Sequence, residues 1–191
     1  IEDIGAANAL YRPGPMSQIP HYIARKFHQE TVEYPHDDLK DILKSTYGII
    51  IYQEQLMQVA QKIAGFSLAK ADILRQATSK KTLGLMESMK EEFISGALKN
   101  GYEKNQAEYI FGLIEKFADY GFNKAHAIAY GLIGYQLAYL KANYPLSFYG
   151  AILSNEQNSD VHKMEYIAEA KKYQIRILPP SINYSEHYFK Q

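Results

Sequence analysis

The chain has 191 residues, of which 47% are hydrophobic, so it can bury a core and is not disordered as a whole. Lysine and arginine together number 21, as do aspartate and glutamate, and this zero net charge excludes a global field that would attract polyanions. Cysteine does not occur, which excludes disulfides, thiolate metal sites and a cysteine nucleophile, and fits a reducing cytosol.

The first quarter of the chain is predicted to contain short helices separated by a rigid turn. Arg12-Pro13-Gly14-Pro15 cannot lie inside a helix, because each proline lacks an amide donor. Short helices are expected from Ser17 and from Asp37, two residue types that suit helix N-termini. The apolar run 47–52 fits either a strand or the buried start of the next helix, and single-sequence rules leave both open.

Five longer segments follow the period of 3.6 residues that is typical of helices. They are 53–64, closed by Gly65; 67–80, capped by Ser67; a stripe from Met86 to Leu98; a stripe from Ala107 to Ala118; and 125–140. The last segment is apolar on nearly all sides, which predicts a position at the centre of a bundle. It is shorter than the roughly 20 residues that a membrane-spanning helix needs.

The last quarter contains two further helices and an extended end. Pro145 opens a helix through Leu153, and Ser159 starts an amphipathic helix through Tyr173. Residues 174–178 precede two prolines and read as a short strand or an extended segment. The fold class is therefore expected to be mainly α, an irregular helical bundle with at most one or two short strands near Ile49 and Ile175.

Positive charge is concentrated between residues 55 and 86. Between Gln55 and Met86 the only acid is Asp72, which faces five cations: Lys62, Lys70, Arg75, Lys80 and Lys81. Lysines at the end of a helix can simply complement its dipole. A guanidinium such as that of Arg75 also suits phosphate oxygens, so both interpretations stay open.

A second cationic site lies in Gly121-Phe122-Asn123-Lys124-Ala125-His126, directly before the apolar helix. Helix N-termini favour anions, yet this first turn carries no acid, and Asp119 is the only nearby candidate to neutralise it. Unpaired amides beside a cation would form a phosphate site. The alternative is that Asn123 caps the helix while Lys124 points to solvent and His126 is hydrogen-bonded inside.

Tyrosine is abundant, with 17 residues, and five of them lie near these basic stretches: Tyr11, Tyr47, Tyr52, Tyr120 and Tyr130. Exposed rings can stack on nucleic-acid bases. More often a tyrosine at helical spacing belongs to the core, with its hydroxyl hydrogen-bonded.

Taken in order, six segments resemble the fingers region of the bacterial replicative DNA polymerase III alpha subunits, which are C-family polymerases. The segments are LYRPGPM at 10–16, TYGIIIYQEQ at 46–55, AGFS at 64–67, ADILR at 71–75, KFADYGFNKAHA at 116–127 and LKANYP at 140–145. The resemblance favours the alpha branch over its exonuclease-containing relative, which usually has proline where this chain has Asn123.

The resemblance implies a mechanism in which the fingers contact the incoming nucleotide while palm carboxylates hold two Mg2+ ions. It implies that Arg75, Lys80, Lys81 and Lys124 contact the triphosphate, that Asn123 and His126 complete the pocket, and that Arg12 lies beside it. The chain contains no Asp-x-Asp, so the palm is expected upstream and the isolated chain is expected to be inactive.

Two positions depart from the family pattern. Gln76 stands where a second arginine is common, which either weakens the implied phosphate contact or shifts it to Lys80. Ala125 replaces the usual serine between Lys124 and His126. Residues 1–153 are expected to form the fingers region, and residues 154–191 to lead toward a helix-hairpin-helix DNA-binding domain.

The implied partners are deoxynucleoside triphosphate, primed template DNA and, through the parent chain, replisome subunits such as the sliding clamp. No membrane partner is expected, and the implied location is cytoplasmic. Two other classes remain open: a non-catalytic helical module that binds a protein partner, and a helical domain that binds nucleic acid without nucleotide specificity.

Overall fold

The computed structural model describes residues 1–80, 83–117, 121–156 and 159–189, without the side chains of residues 79, 80 and 83. Within these ranges the secondary structure is ten α-helices with no β-strand, so the predicted mainly-α fold is confirmed. In the same ranges, none of the helices has the length and hydropathy needed to cross a bilayer.

The helices follow the chain with short connections between most of them. They are α1 Glu2–Leu10, α2 Ile19–Lys26, α3 Lys40–Leu43, α4 Gln53–Ala64, α5 Leu68–Lys80, α6 Leu83–Lys99, α7 Lys104–Phe117, α8 Lys124–Asn143, α9 Pro145–Asn155 and α10 Asp160–Lys172. Short 3-10 turns occupy Pro15–Gln18, Asp37–Leu39 and Lys44–Thr46. Helix α2 therefore begins two residues after Ser17, which lies inside the first of these turns.

The chain divides into two compact units, residues 1–131 and 132–191, and the division falls within α8. This division concerns packing. The proposed change of domain after residue 153 concerns the parent protein, and it stays a prediction.

Helix α4 lies at the centre of the larger core of the first unit. Its Leu56, Val59 and Ile63 are fully buried, and α3, α5 and α6 pack against it. The rings of Phe93 on α6 and Phe111 on α7 meet with centroids 5.3 Å apart. Because apolar residues of each helix face the same interior, burial of this surface is the main force that holds these five helices together.

A smaller core joins α1, α2, the run 47–52 and the first half of α8. Leu10, Ile51, Tyr52 and Ala127 are at most 2% exposed in this cluster. A Cβ on Gly131 of α8 would lie 3.3 Å from the backbone nitrogen of Gly5, so the α1 and α8 backbones approach closely here.

The run 47–52 is not helical: it begins with a turn and ends at Tyr52, whose backbone is extended. It turns at Tyr47 and Gly48, whose φ angles are 52° and 81°. A Cβ at Gly48 would lie 2.2 Å from the carbonyl oxygen of Glu33, so only glycine fits. The run pairs with another segment through one parallel bridge, between Tyr52 and Phe122.

The buried side-chain amide of Gln55 fixes this run. Its Oε1 accepts hydrogen bonds from the backbone nitrogens of Ile51 at 2.9 Å and Tyr52 at 3.0 Å. Its Nε2 donates to Thr46 Oγ1 at 2.8 Å and to the carbonyl oxygen of Ile42 at 3.2 Å. One carboxamide therefore satisfies backbone groups that would otherwise be buried without partners.

The prediction that the apolar helix 125–140 lies at the centre of the bundle is wrong for this chain. In α8, all of whose residues are described, the buried residues are Ala127 and Gly131. Further along the helix, Leu132, Ile133 and Leu137 are 40% to 51% exposed. A helix that is apolar all round needs neighbours on every side, and α1 covers one side of its first half.

We expect Gln55→Ala to lower the free energy of unfolding by about 2 kcal/mol or more. The substitution leaves two buried backbone N–H groups without acceptors, and each such group costs about 1–3 kcal/mol. Gln58→Ala, at an exposed position of the same helix, is the matched control and should change stability by less than about 0.5 kcal/mol. Urea denaturation followed by circular dichroism measures both, and equal effects would contradict the role assigned to Gln55.

A pH-dependent contribution is expected where α2 meets α1. The Lys26 ammonium bonded to Asp3 holds the pKa of that carboxyl below its ordinary value of 3.8, and the Tyr22 hydroxyl also donates to Asp3 at 2.9 Å. Asp3→Asn keeps an acceptor for Tyr22 but removes the charge. It should cost about 0.2–1 kcal/mol at neutral pH, as for a partly exposed ion pair.

This cost should disappear as the pH falls through the lowered pKa of Asp3, because the wild-type carboxyl then also becomes neutral. Denaturation midpoints recorded at successive pH values check this. Asp41→Asn, at a side chain that is 94% exposed, serves as the control. A cost for Asp3→Asn that persists below that pKa would rule out the ion pair as its cause.

Candidate functional site

The first turn of α4 meets the turn that precedes α8. Tyr52 and Phe122 form the parallel bridge: the Gln53 nitrogen donates to the Phe122 carbonyl oxygen at 2.9 Å, and the Phe122 nitrogen donates to the Ile51 carbonyl oxygen at 3.3 Å. Gln53 adds a side-chain bond from its Nε2 to the Gly121 carbonyl oxygen at 3.0 Å. Residues 52–54 and 121–124 therefore form one scaffold.

The N-terminus of α8 is neutralised by Glu54, which sequence reasoning did not identify. Both carboxylate oxygens accept from the Lys124 backbone nitrogen, at 2.9 and 3.1 Å, and Oε1 also accepts from Asn123 Nδ2 at 3.0 Å. The expectation of an unpaired amide at this end is therefore wrong, because an anion already lies there. Asp119, the acid that had been considered, lies outside the described residues.

Asn123 caps α8, as one of the two sequence interpretations held. Its Oδ1 accepts from the His126 backbone nitrogen at 2.8 Å. The same interpretation placed the His126 ring inside the protein, and there it is wrong, because His126 is exposed. Its ring lies 5.5 Å from that of Phe122 and 4.4 Å from that of Tyr130, so three rings follow one side of the helix.

Arg75 on α5 is connected to the same scaffold. Its Nε donates to Asp72 Oδ1 at 2.7 Å, and its Nη1 donates to Gln53 Oε1 at 3.4 Å. The bond from Arg75, together with one from Gln76, holds the pKa of Asp72 below its ordinary value. The Arg75 side chain is 28% exposed.

Two further cations lie over aromatic rings of the scaffold. The Arg12 guanidinium is 4.3 Å from the centroid of the Phe122 ring, and the Lys124 ammonium is 5.8 Å from that of Tyr52. Burial, together with the carboxylates of Glu2 and Glu54, raises the pKa of Tyr52 to about 12. The Tyr52 phenol is therefore neutral at physiological pH, and its ring faces Lys124 as an uncharged surface.

The tyrosines divide between core and surface. Tyr52 is 2% exposed and belongs to the core, whereas Tyr11 is 76% and Tyr130 59% exposed. Tyr47 packs edge-on against Tyr22, with centroids 5.0 Å apart. Tyr120 lies outside the described residues.

The structure brings together five of the seven predicted site residues. Arg12 and His126 contact Phe122, Arg75 contacts Gln53, and Asn123 and Lys124 contact Glu54. The Lys80 side chain and all of Lys81 lie outside the described residues. Sequence reasoning did not find the acceptors Gln53 and Glu54, because nothing local in the sequence indicates donors that are 22 residues away for Gln53 and about 70 residues away for Glu54.

The carboxylates of this region are already committed to amides and to Arg75. In the described part of the chain, no three histidine, aspartate or glutamate side chains converge in a way that could hold a metal ion. The site can therefore offer cations, aromatic surface and hydrogen bonds to a ligand, which suits an anionic, ring-bearing molecule.

Comparison with known proteins adds independent information. Residues 1–101 match the family model described as the bacterial DNA polymerase III alpha subunit finger domain. The whole chain is 54% identical to the DNA polymerase III subunit alpha of Borreliella burgdorferi, covering 17% of that protein. For the proteins of the same name from Treponema pallidum and Bacillus subtilis, the identities are 53% and 51% over 99% of this chain, covering 16% and 17% of each. The chain thus spans about a sixth of the length of these curated relatives.

Proposed function

Because the chain belongs to the finger-domain family of bacterial DNA polymerase III alpha subunits, we propose that its first unit binds the triphosphate of an incoming deoxynucleotide during DNA replication. A nucleoside triphosphate combines several negative charges with a planar base. The scaffold around Phe122 offers cations and exposed rings that match both parts.

One observation carries this proposal: the first turn of α4 holds cationic segments from two other helices. Gln53 binds both Arg75 of α5 and Gly121 before α8, and Glu54 binds the backbone of Lys124. Two cations that are distant in sequence are thereby fixed to one element. Charges that are held before the ligand arrives stabilise a phosphate anion at little cost in side-chain entropy.

The roles that we propose follow from these contacts. Lys124 and Arg75 neutralise phosphate charge, with Lys80 and Lys81 as further candidates. Asn123 fixes the turn that carries Lys124, and the exposed rings of His126 and Tyr130 border the same side of α8. These side chains neutralise and orient the triphosphate, and the bond-making chemistry is assigned to other parts of the parent protein.

Phosphoryl transfer of this class uses two Mg2+ ions. The described residues do not fit this requirement, since no carboxylate cluster among them could hold a metal. We therefore assign both ions to the palm carboxylates of the parent polymerase, outside this chain. Primed template DNA, the sliding clamp and a cytoplasmic location belong to the same proposal, and they follow from membership of the family.

The exposed surface of α8 favours a second, protein-binding role for the chain. Leu132, Ile133 and Leu137 lie on a helix with no lysine or arginine between Lys124 and Lys141, so this surface does not suit a nucleic-acid backbone. It suits contact with protein. We propose this role in addition to nucleotide binding.

We expect Lys124→Ala and Arg75→Ala to weaken nucleotide use by the parent polymerase. Each removes a charge-assisted contact worth about 1.5–3 kcal/mol, so kcat/KM for nucleotide should fall roughly 10- to 100-fold. Steady-state primer extension measures this fall. Lys99→Ala, at an exposed lysine at the end of α6, is the matched control and should behave as wild type. Unchanged kinetics in both site variants would overturn the assignment.

The isolated chain should not extend a primer. Two-metal phosphoryl transfer needs convergent carboxylates, and we place these in the parent protein. Extension assays with the purified chain, with and without Mg2+, check this, and the parent polymerase serves as the positive control. Mg2+-dependent extension by the purified chain would show that the carboxylates lie within it.

A further inference from the structure

We infer that Glu54 is a positioning residue of this nucleotide site, which acts on the ligand through Asn123 and Lys124. The inference rests on the function proposed above. An acidic residue is unexpected in a site that must attract an anion. The contacts of Glu54 show what the acid does there: it binds the backbone and the amide that carry the site residues.

Glu54 orders three site residues in succession. Its carboxylate accepts from the Lys124 backbone nitrogen and from Asn123 Nδ2. The amide of Asn123 is thereby fixed, and its Oδ1 accepts from the His126 nitrogen. One carboxylate therefore fixes the backbone of the first turn of α8. The backbone position in turn determines where the Lys124 and His126 side chains begin.

Glu54 is itself held firmly. It lies in the first turn of α4, between Gln53, which is bound to Gly121 and Phe122, and the buried Gln55. Its negative charge is close to the N-termini of both α4 and α8, and each helix dipole favours an anion at that end. One carboxylate thus interacts favourably with the dipoles of both helices.

A competing role for Glu54 is that of a placeholder which a phosphate group displaces. The recorded contacts favour positioning, because the carboxylate binds the backbone and Asn123 while the Lys124 ammonium lies over the Tyr52 ring. The ammonium therefore extends from a backbone that the acid fixes. The two roles predict opposite changes in KM.

The test is steady-state primer extension by the parent polymerase carrying Glu54→Ala or Glu54→Gln. Positioning predicts that Glu54→Ala raises the KM for nucleotide about fivefold, the factor that corresponds to the usual loss of a helix cap, with kcat less affected. Glu54→Gln keeps an acceptor oxygen for the Lys124 nitrogen and should restore KM to within about twofold of wild type. Such a split between the two variants supports the inference.

Ser159→Ala is the matched control for loss of a cap, since Ser159 caps α10 through the His162 nitrogen at 3.2 Å. It should lower the melting temperature comparably and leave KM unchanged. If Glu54→Ala also lowers only the melting temperature, Glu54 is merely structural and the inference is overturned. A fall in KM in both Glu54 variants would also overturn it, in favour of the placeholder.

Failure of this inference is distinguishable from failure of the proposed function. Lys124→Ala and Arg75→Ala are measured in the same assay. If they impair nucleotide use while Glu54→Ala leaves KM unchanged, the site stands and the positioning role is wrong. If they also have no effect, both assignments are overturned.

Discussion

The hydrogen bonds of one buried carboxamide, that of Gln55, determine how the rest of the first unit is arranged. A non-helical run enters the interior at 47–52 without a neighbouring strand to satisfy its backbone, and Gln55 supplies the acceptor for Ile51 and Tyr52. The amide is itself held by Thr46 and by a carbonyl of α3. A buried polar network of this kind is stable because every member has a partner.

The geometry of the cationic site depends on that hydrogen-bond network. Once Ile51 and Tyr52 are fixed, the bridge to Phe122 sets the register between the start of α4 and the turn before α8. Gln53 and Glu54 then face that turn, and each binds a different part of it. Three successive residues of α4 thus connect the core with the cationic site. Gln55 faces the core, while Gln53 and Glu54 face the turn before α8.

Helix α8 links this scaffold to an exposed apolar surface. Its first half packs on α1 where Gly5 and Gly131 allow the backbones to approach, and from Leu132 onward its apolar side chains are exposed. Exposed apolar side chains of this kind are the basis of the protein-binding role proposed above. The relatives are about six times longer than this chain.

The sequence by itself determined the elements whose signals are local. The helical period predicted α4, Gly65 ends it with a φ of 66°, and Ser67 and Ser159 cap α5 and α10 as expected. The ordered motifs also identified the family, which the comparisons confirmed. The helix and its caps depend on residues within a few positions of one another, and the family motifs depend only on residue identity and order, so a single sequence contains the information needed for both.

Only the tertiary structure decided which groups meet. It resolved the run 47–52 as non-helical, because Gln55 satisfies its backbone there, and it left the second half of α8 exposed although its composition predicted burial. It also placed Glu54 on the Lys124 nitrogen, about 70 residues away, where the sequence had suggested an open anion site. Periodicity shows which side of a helix is apolar, but packing decides what covers that side and which distant acid reaches a helix end.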